Sequence, residues 1–184
     1  MKTAHLSLCA TFATTLALLS LCTAQQAGSP AASIGPCSTP EQAQLEFWVG
    51  DWDLTWPGNK PGDVDHGTNH IIRALDGCVV QEAFSAEQSG HLRGMSVSLF
   101  DSTAHKWKQT WVDNEGAYLD FVGEFRDGQM VLAREFNVSD GSRVIQRMVF
   151  KNITANELDW SWERSTDAGK TWQVVWPIHY KRRK

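Results

Sequence analysis

Residues 45–56 read Leu45-Glu46-Phe47-Trp48-Val49-Gly50-Asp51-Trp52-Asp53-Leu54-Thr55-Trp56. The period of the apolar side chains changes inside this stretch. Leu45, Trp48 and Val49 fall at helical spacing. After Gly50, Trp52, Leu54 and Trp56 alternate with Asp51, Asp53 and Thr55, the period of a half-buried strand. Gly50 thus marks where a helix hands over to a strand. Upstream, Thr39-Pro40-Glu41-Gln42 offers an N-cap, a proline at the first helical position and the two halves of a capping box. The expectation is a short helix ending at Gly50, followed by a first strand that Pro57-Gly58 breaks.

Beyond that break the chain reads as strand after strand. Runs cover about His66 to Leu75, Cys78 to Ala86, Leu92 to Phe100, Trp107 to Asp113 and Ala117 to Phe125. Four more follow, Met130 to Asn137, Arg143 to Phe150, Leu158 to Arg164 and Trp172 to Tyr180. Asp76-Gly77, Asn114-Glu115-Gly116, Asp127-Gly128 and Asp140-Gly141 punctuate them as turns. About ten short strands at this even spacing predict an all-β, antiparallel up-and-down meander. Closing it into a barrel removes the exposed edges, so a barrel is favoured over a sandwich, with the leading helix capping one end. The last turn carries Ser165-Thr166-Asp167-Ala168-Gly169-Lys170-Thr171-Trp172, the pattern of an Asp-box. Its physical content is an aspartate that accepts from the amides of its own turn, with a tryptophan anchoring the exit strand. A single copy argues against a propeller.

The first 24 residues have the pattern of a secretory signal. Lys2 precedes an uncharged apolar run from Leu6 to Leu21, and Cys22-Thr23-Ala24 places small residues before a cleavage site. Residues 25–38, rich in Gln, Ala, Ser, Gly and Pro, read as a flexible leader, leaving 39–184 as the barrel domain. A secreted or periplasmic location follows, with no integral membrane segment once the signal is removed. Cleavage would discard Cys9 and Cys22 and leave Cys37 and Cys78 in an oxidising compartment, where they are expected to pair. The chain has 17 Lys+Arg against 21 Asp+Glu, which argues against non-specific nucleic-acid binding. With 42% hydrophobic and 21% charged residues it is neither disordered nor polytopic.

The short helix running into Gly50-Asp51-Trp52 resembles the start of the calycin superfamily, which includes lipocalins and fatty-acid-binding proteins. The resemblance implies that Trp52 closes the barrel base and that a late basic residue, Lys181 or Arg182, packs on it. Together with Gly77-Cys78 and Trp107-Lys108-Gln109-Thr110-Trp111-Val112-Asp113-Asn114, the segment from about 40 to 182 resembles an exported bacterial calycin-like family of unknown function. That family implies a fold and brings no activity with it.

A calycin-like barrel of about ten strands normally encloses a cavity for one small ligand. One parity of each strand would line it. Candidate ligand-binding residues are Trp56, Trp107, Gln109, Trp111, Trp160 and Trp162, each with a core-packing reading beside the ligand-binding one. Gln109, between two tryptophans, needs either a hydrogen-bond partner or a ligand. Trp172, Val174, Trp176, Ile178 and Tyr180 share a parity on the last strand. Glu82 lies with Val80 and Phe84, and Arg134 with Leu132 and Phe136. Inward, this pair would give the cavity opposite charges; outward, each is a solvated charge, and strand register decides. His179 in Trp176-Pro177-Ile178-His179-Tyr180 loosely resembles the late axial histidine of the haem-binding nitrobindins, a minor alternative to an expectation of no cofactor. No metal set is expected, since the two remaining cysteines are isolated and His66 and His70 lack a third ligand. No nucleophile elbow, zinc-protease motif, phosphate loop or dinucleotide fingerprint is present. The leading expectation is a small hydrophobic or amphipathic ligand. An enzyme using the same cavity and a ligand-free envelope interaction module are the alternatives.

Overall fold

Ten antiparallel strands close on themselves in chain order in a computed structural model that describes residues 37–87 and 89–184. They are β1 (Gly50–Pro57), β2 (Val64–Ala74), β3 (Val79–Ser85), β4 (Arg93–Asp101) and β5 (Lys106–Asp113). The second half comprises β6 (Tyr118–Arg126), β7 (Gln129–Asn137), β8 (Arg143–Lys151), β9 (Glu157–Ser165) and β10 (Gln173–Arg182). Each strand pairs with the next, and β10 returns to β1 with Trp52 opposite Arg182 and Leu54 opposite Tyr180. The expected signal segment and almost all of the expected leader lie outside the described residues. Among the described residues no helix is long and apolar enough to cross a membrane.

Register carries one parity of every strand into the interior. Asn69 and Ile71 on β2 face Phe84 and Glu82 on β3, and Glu82 faces Ser96 on β4. On the other side, Leu132, Met148 and Trp162 run across β7, β8 and β9, and Phe150, Trp160 and Ile178 across β8, β9 and β10. Trp52, Leu54, Trp107, Phe121, Leu132, Phe150 and Leu158 are fully buried in this way.

The expected helix takes a tighter form. Residues 39–45 make consecutive turns, and only Glu46–Trp48 forms a helix, of 3-10 type. The capping box is in place, with Thr39 N donating to Gln42 Oε1 at 3.0 Å and Gln42 N donating to Thr39 Oγ1 at 3.3 Å. Beyond it the backbone bonds step by three: Gln44 to Glu41, Glu46 to Ala43, Trp48 to Leu45. The 3-10 geometry eclipses residues three apart, and Leu45 and Trp48 are the pair driven into the barrel. Burial of that pair over so short a segment outweighs the α-helical ladder.

Around this segment the base is sealed. Trp52 Nε1 donates to Trp48 O at 2.7 Å. Of the two late basic residues, Arg182 takes the closing position. Its guanidinium lies 4.1 Å from the Trp52 ring centroid and donates to Val49 O at 2.7 Å and Phe47 O at 2.9 Å. Gly50 sits against that guanidinium at a φ of +128°, where a Cβ would collide with Arg182 Nη1. Arg73 reaches across to Gln42 O at 2.9 Å. Cys37 and Cys78 form a disulfide with a Cα separation of 4.9 Å, tying the entry of the base segment to the β2–β3 turn.

The single face expected for Trp172 to Tyr180 does not form. A register shift between Val174 and Trp176 breaks the alternation. Trp176, Ile178 and Tyr180 point inward, while Val174 and Val175 are about half exposed at 49% and 54%. Trp172 instead lies outside, its ring 3.7 Å from the Arg147 guanidinium carbon. Arg147 Nε donates in turn to the buried Glu163 at 2.7 Å. The Asp-box turn holds Trp172 there: Asp167 Oδ1 accepts from Thr171 N at 2.9 Å, and Trp172 Nε1 donates to Gly169 O at 3.1 Å.

Candidate ligand-binding cavity

The half of the barrel away from the base is hollow. A cavity of about 190 Å³ lies between Phe84, Leu92, Trp111, Leu119, Phe121, Met148, Phe150, Trp160, Trp162, Trp176 and Ile178, with Trp48, Glu82 and Tyr180 also reaching it and Asp113 completing the lining. Its rings meet edge to face: Phe84–Trp111 at 5.9 Å, Phe121–Trp162 at 5.6 Å, Trp160–Trp176 at 5.8 Å. Such contacts fix the walls. Gly94 makes room for Trp111, since a Cβ there would collide with the indole.

Polar groups gather at one place on this wall. Glu82, 6% exposed, accepts from Asn69 Nδ2 at 2.6 Å on one oxygen and from Ser96 Oγ at 2.6 Å on the other. Asn69 Nδ2 also donates to the Tyr180 hydroxyl at 3.2 Å. Burial pushes the Glu82 carboxyl up to about 7, against the pull of its two hydrogen bonds. Burial, and after it the nearby Glu82 charge, raises Tyr180 well above the usual phenol range. Asn69 Oδ1 is buried without a hydrogen-bond partner, and the buried Trp48 Nε1 has only the Tyr180 hydroxyl beside it. Such orphaned groups are uncommon in folded proteins and point to a missing partner. Asp113 accepts from Trp111 Nε1 at 2.9 Å and from the amides of Glu115 and Ala117 at 3.0 Å each. Burial opposes its ionisation, but these bonds outweigh it and hold the carboxyl below its ordinary range.

The eight residues expected at the site divide evenly. Trp111, Trp160, Trp162 and Glu82 line the cavity. Trp56 faces inward but packs behind the wall against Trp176, centroids 5.5 Å apart. Trp107 belongs to the base, where its Nε1 donates to Gln44 Oε1 at 3.0 Å. Gln109 is buried and its amide donates to Ser98 Oγ at 2.9 Å, so its need is met inside the wall. Arg134 stands apart from the lining, its guanidinium 4.7 Å from the Phe136 ring and 3.4 Å from Gln146 Oε1. Among the described residues the cavity lining therefore holds two carboxyls and no basic side chain. His179 lies on the outer face, exposed and 2.8 Å from Asp159, so it is not aimed at a group inside the barrel.

Trp48, Asn69 and Ser96 were not expected at the site, and Tyr180 was expected only as one of the residues sharing a face on the last strand. Each looks ordinary in its own segment. Inward parity carried from Glu82 across β2 and β4 reaches Asn69 and Ser96, which was the available signal. The fold and cavity define a class, a closed ten-stranded antiparallel barrel with an aromatic interior chamber. No family model and no curated protein matches this chain.

Proposed function

We propose that this is an exported, calycin-like binding protein that holds one small hydrophobic or amphipathic molecule inside its barrel. The observation that carries the reading is the chamber of about 190 Å³ walled by aromatic rings, with the buried Glu82 carboxyl at its edge. For scale, an engineered apolar cavity of about 150 Å³ takes up benzene. A single ring with a short tail is therefore the size that fits. The Cys37–Cys78 disulfide and the signal-like residues 1–24 support export. The kinship with exported calycin-like proteins of unknown function belongs to the same proposal. It rests on Gly50-Asp51-Trp52 and on the stacking of Arg182 over Trp52.

Native mass spectrometry on the chain purified from its own host tests the reading, because a retained adduct gives the ligand's mass. Tryptophan fluorescence should report binding independently, since Trp48, Trp111, Trp160, Trp162 and Trp176 all border the chamber. An unliganded mass, together with fluorescence indifferent to a broad panel of lipids, haem and aromatic acids, would count decisively against it. Glu82 favours a second reading, an enzyme acting in the same chamber, because a buried carboxyl poised near pH 7 suits general acid–base chemistry. Turnover abolished by Glu82→Gln with ligand binding retained would select that reading.

A further inference from the structure

Resting on the binding-protein reading, we propose that the ligand is an organic cation, an amine or quaternary ammonium with a compact apolar body, whose charge sits between Glu82 and the tryptophan faces. Three observations lead there. First, among the described residues the only charge-bearing side chains bordering the chamber are the carboxyls of Glu82 and Asp113. Second, the hydrogen-bond partners of the two Glu82 oxygens, Asn69 and Ser96, are both neutral. No Lys, Arg or His among the described residues lies within ion-pair distance of Glu82. An ionised carboxylate buried without a counter-charge is costly, and a cationic ligand would supply that charge. Third, Trp111, Trp160, Trp162 and Trp176 surround the same space, and indole faces attract cations within about 6 Å of their centroids.

An anionic ligand meets the opposite environment, with two carboxyls and no basic group to receive it. A neutral ligand would leave the Glu82 charge as it stands. The groups facing Glu82 are Asn69 from β2, Ser96 from β4, Tyr180 from β10 and Trp48 from the 3-10 segment. Of these only Tyr180 titrates, and it stays neutral throughout the working range. Asp113, the other carboxyl on the lining, is held below its ordinary range and stays ionised near neutrality, so the pH dependence of affinity for a cation should follow Glu82, rising with pH through neutrality.

Three probes of one shape separate the possibilities: 3-phenylpropylamine, 3-phenylpropanol and 3-phenylpropionate, titrated calorimetrically into the full folded chain. At pH 8 the amine should bind about tenfold or more tighter than either partner. At pH 6 that preference should shrink to about threefold or less, and in Glu82→Gln it should be absent at both pH values. The pH series on the unaltered protein stands even where the variant folds poorly. Equal affinities, or a preference for the alcohol or the carboxylate, would overturn the cation assignment and leave the binding reading intact. No heat or tryptophan quenching with any of the three would overturn both.

Discussion

At the base, Trp52 is fully buried, donates to Trp48 O at 2.7 Å and carries the Arg182 guanidinium 4.1 Å above its ring. In the other half, Trp162 meets Phe121 edge to face at 5.6 Å and borders the cavity. Both tryptophans reach the interior by the same strand alternation, yet one is enclosed by neighbours and the other stops at a void. The difference lies in what covers them. Trp52 has a backbone acceptor and a cation supplied by the chain itself, and Trp107 has the Gln44 amide as acceptor. The chamber tryptophans lack a cation, and on the proposed function their cavity-facing sides would meet the ligand. Stability should therefore concentrate at the base and ligand affinity in the chamber.

Truncation tests that division most strongly. Trp52→Ala removes the enclosed ring and leaves Arg182 without its platform, so it should cost about 3–5 kcal/mol in urea unfolding. Trp162→Ala should cost no more than half as much, because it enlarges a cavity that already exists. Equal losses would mean that the two halves are packed alike. The Cys37→Ser/Cys78→Ser double variant comes next. The bridge spans a sequence separation of 41, and removing a closure of that length should cost about 4 kcal/mol on a chain-entropy basis. The effect should appear as a lower denaturation midpoint of the base and barrel together.

Glu82 sharpens the comparison from the chamber side through pH. An unfolded glutamate loses its proton near 4.5, whereas folded Glu82 holds it to about 7. Between those values the folded state binds more protons, so the Glu82 contribution to stability is full below 4.5, falls as pH rises, and is level above 7. The size is on the order of 3 kcal/mol. Measured as wild type minus Glu82→Gln, stability should therefore drop by that order between pH 4.5 and 8. A pH-independent difference would mean that Glu82 is hydrated and the chamber wall is wetter than its burial implies.

Strand alternation and turn residues made the barrel legible. Trp52, Leu54 and Trp56 needed only a period of two, and Asp76-Gly77, Asp127-Gly128 and Asp140-Gly141 marked the reversals. The Cys37–Cys78 pair was legible once Cys9 and Cys22 were set aside with the expected signal segment. The site was half legible, because parity says which residues share a face and not how far along the barrel they lie. Trp107, Gln109 and Trp111 share one face, yet only Trp111 lines the chamber. The bulge between Val174 and Trp176 was invisible for a different reason: an extra residue leaves the composition unchanged and flips every side chain on one side of it. The cluster of Asn69, Glu82, Ser96 and Tyr180 joins residues up to 111 positions apart, and only register assembles it.

The smallest expected effect tests the chamber most selectively. Trp162→Phe keeps an aromatic ring beside Phe121 and trims volume on the cavity side, so its stability cost should stay under about 1.5 kcal/mol. Cation affinity should respond more visibly, because phenyl attracts a cation less than indole does. A loss of about two- to fivefold for 3-phenylpropylamine, with 3-phenylpropanol unchanged, is the expected pattern. A matching replacement at the base, Trp107→Phe, removes the donor to Gln44 and should cost about 1 kcal/mol while leaving both affinities untouched. If Trp107→Phe alters amine binding as much as Trp162→Phe does, base and chamber communicate. The ligand would then be sensed by the whole barrel and not by its hollow half.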